Sequence, residues 1–374
     1  MWNAGNRSPI GFAYTAAAII VFAIWVWGAE SEMTAVNGDP RSTLSGLIYG
    51  VAHNPFAQRA FIPFLTRTIH SAIPADISAA VKDRLSSIPK VQKEAGRLGW
   101  DLRYVNEYII AFLLSFLSLL FFPFVLRTLF ASLYAAEEKA IALVPLVAMF
   151  ALPPFFLVGT HYIYDFPALL LFTLGFLLMI RQRWLLYYAV LAVGCVNKET
   201  MVLLLLPLLL LSRHVKPPPR IAMHAALHVL VFGLIKGTLM FVYAGNPGGA
   251  VEFHLWGNLH MLLMPYTLVT LFSLAVLGFL VWFDFKNKHP VLRKGAWLLV
   301  PFALLMIFFG TIHEARALYE VFPVYFLLIS HTVLFSLLKR PYELKDAFIS
   351  TTTQNERNHN GSRTYAGDPQ TRLR

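Results

Sequence analysis

Over most of the chain, apolar residues come in long runs separated by short polar connections: 10–29, 107–126, 140–159, 165–180, 184–196, 200–212, 221–243, 261–283, 296–310 and 319–338. A bilayer crossing takes about 20 apolar residues as an α-helix, so the pattern predicts an all-α polytopic membrane protein with about ten transmembrane helices. Two runs, 184–196 and 200–212, are too short to cross upright, and they flank the tetrad Asn197-Lys198-Glu199-Thr200. That arrangement predicts either two short helices meeting at a membrane-embedded polar turn or a re-entrant pair. The stretch Ile10 to Gly28 follows a weakly basic N-terminus (Arg7) and ends at Trp27-Gly28-Ala29-Glu30, a poor signal-peptidase site. It is expected to remain as the first span.

Basic residues mark every second connection. Arg127 and Lys139 lie in one, Arg181 and Arg183 in the next but one, followed by Arg213, Lys216 and Arg220, then Lys286, Lys288, Arg293 and Lys294, and last Lys339 and Arg340. The intervening connections contain only Arg316 and the tetrad's Lys198. Cytoplasmic loops carry the excess of Lys and Arg, so both termini are expected in the cytoplasm, and the long connection 30–106 outside. Within it, Ser42 is expected to cap a helix carrying Leu44, Leu47, Ile48 and Val51, and Asp76 one carrying Ile77, Val81, Leu85 and Ile88. Such helices either lie along the membrane surface or pack on each other as a small external subdomain. Residues 1–350 read as a single integral membrane domain, and 351–374, without apolar periodicity, as a disordered cytoplasmic tail.

Composition sharpens this picture. Of 374 residues, 57% are hydrophobic and 14% charged, which excludes an ordinary soluble domain. The formal charge of +11 reports orientation and anionic lipid in such a protein rather than nucleic acid. A single cysteine, Cys195, excludes an internal disulfide and a multi-cysteine metal site. No repeat of 20 to 50 residues and no similarity between the halves is visible, which argues against an inverted-repeat transporter.

Polar side chains gather at the expected outer helix ends: His161, Tyr162, Tyr164 and Asp165; Asn197, Lys198 and Glu199; Glu252, His254 and Asn258; His313, Glu314 and Arg316. Ionisable groups at membrane depth are costly unless they pair or line a wet cavity, so the collection implies a site opening outward; the plain alternative is that span ends are polar anyway. Lys198 can bind a phosphate oxygen and Glu199 can hold that lysine or a sugar hydroxyl, or the two form an ion pair locking two half-helices. Asp165 either caps the helix opened by Phe166-Pro167 or orients Lys198 or Arg316. The Arg316 guanidinium suits a bidentate grip on phosphate or carboxylate, with Glu314 orienting it. A divalent metal at His313, Glu314 and His161 is compatible with the residue types, although no His-Glu-x-x-His spacing supports it. His224, His228 and Lys236 share one helical stripe, expected to face the bundle interior. In the long loop, Asp39 is either a turn residue or a base, and Arg59 supplies a cation beside apolar surface.

A first span, a long outer loop with an early acid and surface helices, and polar motifs at successive outer helix ends resemble the GT-C superfamily of membrane glycosyltransferases. The phrases Gln58-Arg59-Ala60-Phe61-Ile62-Pro63, Tyr164-Asp165-Phe166-Pro167, Asn197-Lys198-Glu199-Thr200 and His313-Glu314-Ala315-Arg316 resemble those of uncharacterised bacterial proteins related to that group. The paired Asp-x-Asp or Glu-x-Asp acids frequent in the superfamily are missing, since Asp39 stands alone and Glu30-Ser31-Glu32 sits at the membrane edge. The resemblance implies a bacterial plasma-membrane enzyme moving a sugar from a polyprenyl-phosphate donor to a glycan or lipid acceptor at the outer face. Asp39 by preference, or Glu199, would serve as the catalytic carboxylate, and Arg59, Lys198 and Arg316 would stabilise the departing lipid phosphate. A lipid-linked-substrate transporter or flippase and a noncatalytic subunit of an envelope-polymer complex are the other classes compatible with the sequence.

Overall fold

The computed structural model describes residues 8–28, 34–156, 160–212, 218–249, 251–261, 264, 267–311 and 318–345. Along the chain the helices are α1 (Ser8–Trp27), α2 (Leu44–Ile48), α3 (Phe61–Ser71), α4 (Ala75–Ser86), α5 (Pro89–Arg97), α6 (Val105–Leu133), α7 (Glu138–Phe150), α8 (Pro153–Phe156), α9 (Asp165–Ile180), α10 (Trp184–Asn197), α11 (Leu205–Ser212), α12 (Pro218–Val242), α13 (Leu255–Met261), α14 (Thr267–Trp282), α15 (Pro290–Gly295), α16 (Leu299–Phe309) and α17 (Phe322–His331). Two three-residue strands, β1 (Tyr134–Ala136) and β2 (Tyr342–Leu344), pair antiparallel. Among the described residues, five helical stretches are long and apolar enough to cross a membrane: Pro9–Trp27, Leu102–Leu133, Glu138–Phe156, Pro219–Val242 and Pro290–Phe309. Four shorter apolar stretches, Asp165–Ile180, Trp184–Asn197, Glu199–Leu211 and Phe322–Leu337, pack among them.

The distribution of polarity is that of a protein solvated by lipid. On α12, His224 and His228 are buried, while Met223, Val229, Leu230, Leu234, Phe241 and Val242 are exposed. Water would impose the reverse arrangement, because an exposed apolar stripe of that length is a patch soluble proteins avoid. The stripe expected to face the interior does so: the Tyr187 hydroxyl and His228 Nδ1 lie 2.8 Å apart, as do the Tyr188 hydroxyl and His224 Nδ1. The short α10 is thereby tied to α12 by two polar contacts where only dispersion would otherwise act.

The core forms around α6, which packs on α1, α3, α7 and α9. With 29 residues it runs about 43 Å at 1.5 Å per residue and separates two chemically different ends. One end carries the loop 34–104 and the connections around Tyr162, Lys198 and Asn246. The other carries β1, β2 and Lys288, the buried lysine whose Nζ lies 2.7–2.9 Å from Leu280 O, Val281 O, Leu328 O and Thr332 Oγ1. The carbonyls of Leu280 and Val281 lie in the last turn of α14, where helix carbonyls run out of intrahelical donors, and Leu328 O accepts from Lys288 in addition to the Thr332 N–H. Lys288→Met is therefore expected to lower stability by about 2 kcal/mol, read as a lower thermal midpoint in detergent, and an unchanged midpoint would show that the clasp carries no energy.

Two helices of the long loop differ from expectation. Thr43, not Ser42, caps α2, its Oγ1 accepting from Gly46 N at 3.3 Å; Ser42 closes a 3-10 turn begun by Pro40, and Val51 falls beyond the helix. Asp76 lies inside the first turn of α4 behind the N-cap Pro74, and Ile88 is the N-cap of α5. Proline at 74 and again at 89 fixes φ where a helix can begin, and this overrides the side-chain signals. No residue of α4 is buried and its Ile77 and Val81 are exposed, so the stripe is not packed inside a subdomain.

Candidate functional site

The tetrad is the tip of a helical hairpin. α10 ends at Asn197, Lys198 is extended (φ −160°, ψ 137°), and a 3-10 turn, Glu199–Leu204, leads into α11. The returning segment lies against Gly194, where a Cβ would meet Met201 Cγ at 2.8 Å, so glycine permits the close approach. An extended residue sends neighbouring side chains to opposite sides. Lys198 and Glu199 accordingly do not pair with each other, and the ion pair expected as a lock within the tetrad is replaced by two pairs to distant segments.

Glu199 meets Arg59. The guanidinium forks onto the carboxylate, Nη2 to Oε1 at 2.8 Å and Nε to Oε2 at 3.4 Å, and its Nη1 donates to the Tyr164 hydroxyl. Arg59 also sits over the Tyr164 ring at 4.7 Å and the Phe56 ring at 5.4 Å, contacts that favour a delocalised cation. The aromatic floor continues through Tyr162, stacked on Tyr164 at 5.0 Å and on Phe56 at 5.6 Å. Three backbone decisions bring these groups together. Pro55 starts a 3-10 turn ending at Gln58, Ala60 N donates to Val196 O at 2.9 Å at the end of α10, and Asn197 Nδ2 donates to Tyr164 O at 3.0 Å.

Lys236 joins the same cluster from α12, donating to Gln58 Oε1 at 2.6 Å. Gln58 Nε2 in turn donates to Asn54 Oδ1 at 3.2 Å, and Asn54 Nδ2 to Tyr243 O at 2.9 Å. Asn246 closes the seam by donating to Gly50 O and Ala52 O at 2.8 and 2.7 Å. Two cations, Arg59 and Lys236, thus face one carboxylate, Glu199. Side-chain exposure of 12% for Arg59 and 32% for Glu199 leaves the pair reachable from outside while shielding it enough for the attraction to matter.

Lys198 turns the other way, to Glu320, Nζ to Oε1 at 2.7 Å, with Thr200 Oγ1 donating to the same oxygen at 2.7 Å. Side-chain exposure of 7% and 0% makes this a buried ion pair. Asp39 caps the Pro40–Ser42 turn and binds Arg41 at 2.8 Å, and Arg41 reaches Glu252 at 2.7 Å. Burial opposes ionisation of Asp39, but the Arg41 hydrogen bonds outweigh it, so its carboxyl is held below the usual carboxylate range. Asp39 is connected to the site through Arg41, whose guanidinium sits over Phe56 at 5.6 Å.

Of the other candidates, His161 is structural. Its Nε2 lies 2.6 Å from Trp25 O, and its backbone bridges Val36 and accepts from Asn37 N at 2.8 Å, clamping the loop to the end of α1. Asp165 is buried and accepts from Tyr162 N at 2.9 Å, holding the turn that precedes α9. His313, Glu314 and Arg316, with Glu30 and Glu32, lie outside the described residues. Among the described residues no group of three His, Cys, Asp or Glu side chains is placed to hold a metal. The structure thus brings Arg59, Tyr164, Asn197, Glu199 and Lys236 together and leaves Lys198 and Asp39 with partners of their own. Two participants go beyond those expected. Glu320 carries a signal, a lone acid at the head of an apolar run, and Gln58 opens the phrase Gln58-Arg59-Ala60-Phe61-Ile62-Pro63 without a role of its own expected there.

No protein-family model, curated protein or solved structure matches the chain.

Proposed function

We propose that this chain is a glycosyltransferase of the plasma membrane, built on ten helical passes with both termini cytoplasmic. It transfers a sugar from a polyprenyl-phosphate carrier to an acceptor at the outer face. The observation that carries the reading is the meeting of Arg59, Lys236 and Glu199 over an aromatic floor, at the end of the bundle covered by the long loop. Excess positive charge there suits a lipid phosphate, and the lipid-exposed helices around it suit the carrier's tail. In this reading Glu199 takes the proton of the acceptor hydroxyl as the new glycosidic bond forms. The bond between the sugar and the phosphate oxygen breaks, and Arg59 and Lys236 receive the charge that develops on the phosphate. Asp39 orders the loop through Arg41 rather than serving as the base. The opposite end argues against a carrier that alternates access, because Lys288 and the β1–β2 pair tie the last helices together there.

Purified protein in lipid vesicles with a labelled polyprenyl-phosphate sugar tests the proposal. The expected result is transfer to an acceptor, or slow hydrolysis, with release of polyprenyl phosphate. Counterflow of intact donor across the vesicle, or binding with the glycosidic bond unbroken, overturns it.

A further inference from the structure

Away from that cluster, the long loop assembles a second constellation. The turn after α3 brings His70 back over Ser78 on α4, with Nε2 and Oγ 3.1 Å apart. On the other side of the imidazole, Nδ1 lies 3.5 Å from Oε1 of Glu107 in the first turn of α6. Asn106 Nδ2 donates to Ser78 Oγ at 2.7 Å and to Ser78 O at 2.8 Å. With that donor on one Oγ lone pair, the serine proton is left to point at the imidazole. The Tyr49 hydroxyl donates to the same oxygen of Glu107, Oε1, that the imidazole faces; burial and this hydrogen bond push the Tyr49 phenol up to about 12, so it remains a donor.

We propose that Ser78, His70 and Glu107 form a second active site, a serine acyl-hydrolase triad acting on carboxylic esters with apolar acyl chains. Order of access matches the roles: Glu107 is 5% exposed, His70 30%, and Ser78 half-buried at the surface. The triad is recognised by geometry and role, not by sequence order, and loose contacts of about 3.5 Å are ordinary before substrate binds. Ser78 lies one turn into the 12-residue α4, whose N-cap Pro74 supplies no side-chain bond. The first N–H groups of that helix have no acceptor within it and are available to a developing oxyanion. Ile69, Ile77 and Val81 are exposed beside the pair, an apolar rim suited to a lipid acyl chain.

In the first step Ser78 Oγ bonds to the ester carbonyl carbon and passes its proton to His70 Nε2. The carbon–oxygen bond to the alcohol breaks, and the departing alkoxide takes that proton. Water then attacks the acyl-serine, giving one proton to His70. As the acyl–Oγ bond breaks, His70 returns the proton to Ser78 and the carboxylic acid leaves.

The full chain, purified in detergent, is to be treated with a fluorophosphonate probe, and the adduct mapped by mass spectrometry. The expected result is loss of fluoride with the phosphonyl group on Ser78, and hydrolysis of p-nitrophenyl butyrate. Ser78→Ala should abolish both, Glu107→Gln should slow both by about 10²-fold or more, and Ser87→Ala should change neither. Absence of an adduct on Ser78 in the unsubstituted protein overturns the proposal whether or not the variants fold, as does unchanged ester hydrolysis by Ser78→Ala. The glycosyl-transfer reading is independent of either outcome.

Discussion

Lys198→Met is expected to destabilise the protein by about 3–5 kcal/mol, among the largest single-residue losses available in this chain. The reason is what it leaves behind. Glu320 is fully buried, and without the ammonium its carboxylate keeps, among the described residues, the Thr200 hydroxyl alone. A carboxylate in that position must either remain charged at high cost or take up a proton. Removing both charges, as Lys198→Met with Glu320→Leu, should restore most of the loss, because a buried pair replaced by apolar residues of similar volume is close to neutral. Thr200→Val should cost about 1 kcal/mol. Thermal unfolding midpoints in one detergent, with size-exclusion profiles to verify folding, measure all three. If the single variant melts with the unsubstituted protein, the pair is not formed.

Arg59→Ala should reduce transfer at least about 100-fold and weaken donor binding, since it deletes the one fork that grips Glu199 and sits beside both Tyr164 and Phe56. Lysine should not rescue it, because a point charge reproduces neither the bidentate contact nor the stacking. Glu199→Gln separates the two roles. It keeps the size and the hydrogen-bonding carbonyl but not the proton acceptor, so transfer should fall by a similar factor while donor affinity stays within a few-fold. Fold should survive in Glu199→Gln, because its side chain is a third exposed and such pairs contribute modestly to stability. Comparing turnover with the affinity for a labelled polyprenyl-phosphate sugar distinguishes the two variants. Unimpaired turnover in both would remove this cluster from the reaction.

The chain by itself determined where several of the membrane helices form and, for α12, which side chains turn inward. Residues 165–180 are predicted as a helix and α9 has those bounds; 184–196 ends within one residue of α10; His224 and His228 on α12 are buried, and the half-buried Lys236 reaches Gln58. Such features are local, written in runs of apolar side chains that exclude water-solvated backbone and in a period of 3.6. The tetrad is legible in the same way, as a polar interruption that ends a helix.

Partners were not legible. Arg59 and Glu199 are 140 residues apart in sequence, and Thr200 and Glu320, 120 apart, meet through packing that leaves no periodic trace. The adjacent charges of Lys198 and Glu199 suggest a pair in sequence, yet one extended residue aims them apart. His161 and Asp165 have the composition of site residues, but a carbonyl of α1 and a backbone N–H claim them, because buried polar backbone must be satisfied before anything else. Sequence supplied the charged groups and their depth; only the tertiary structure decided which charge answers which, since that depends on the rotation and approach of helices joined by distant parts of the chain.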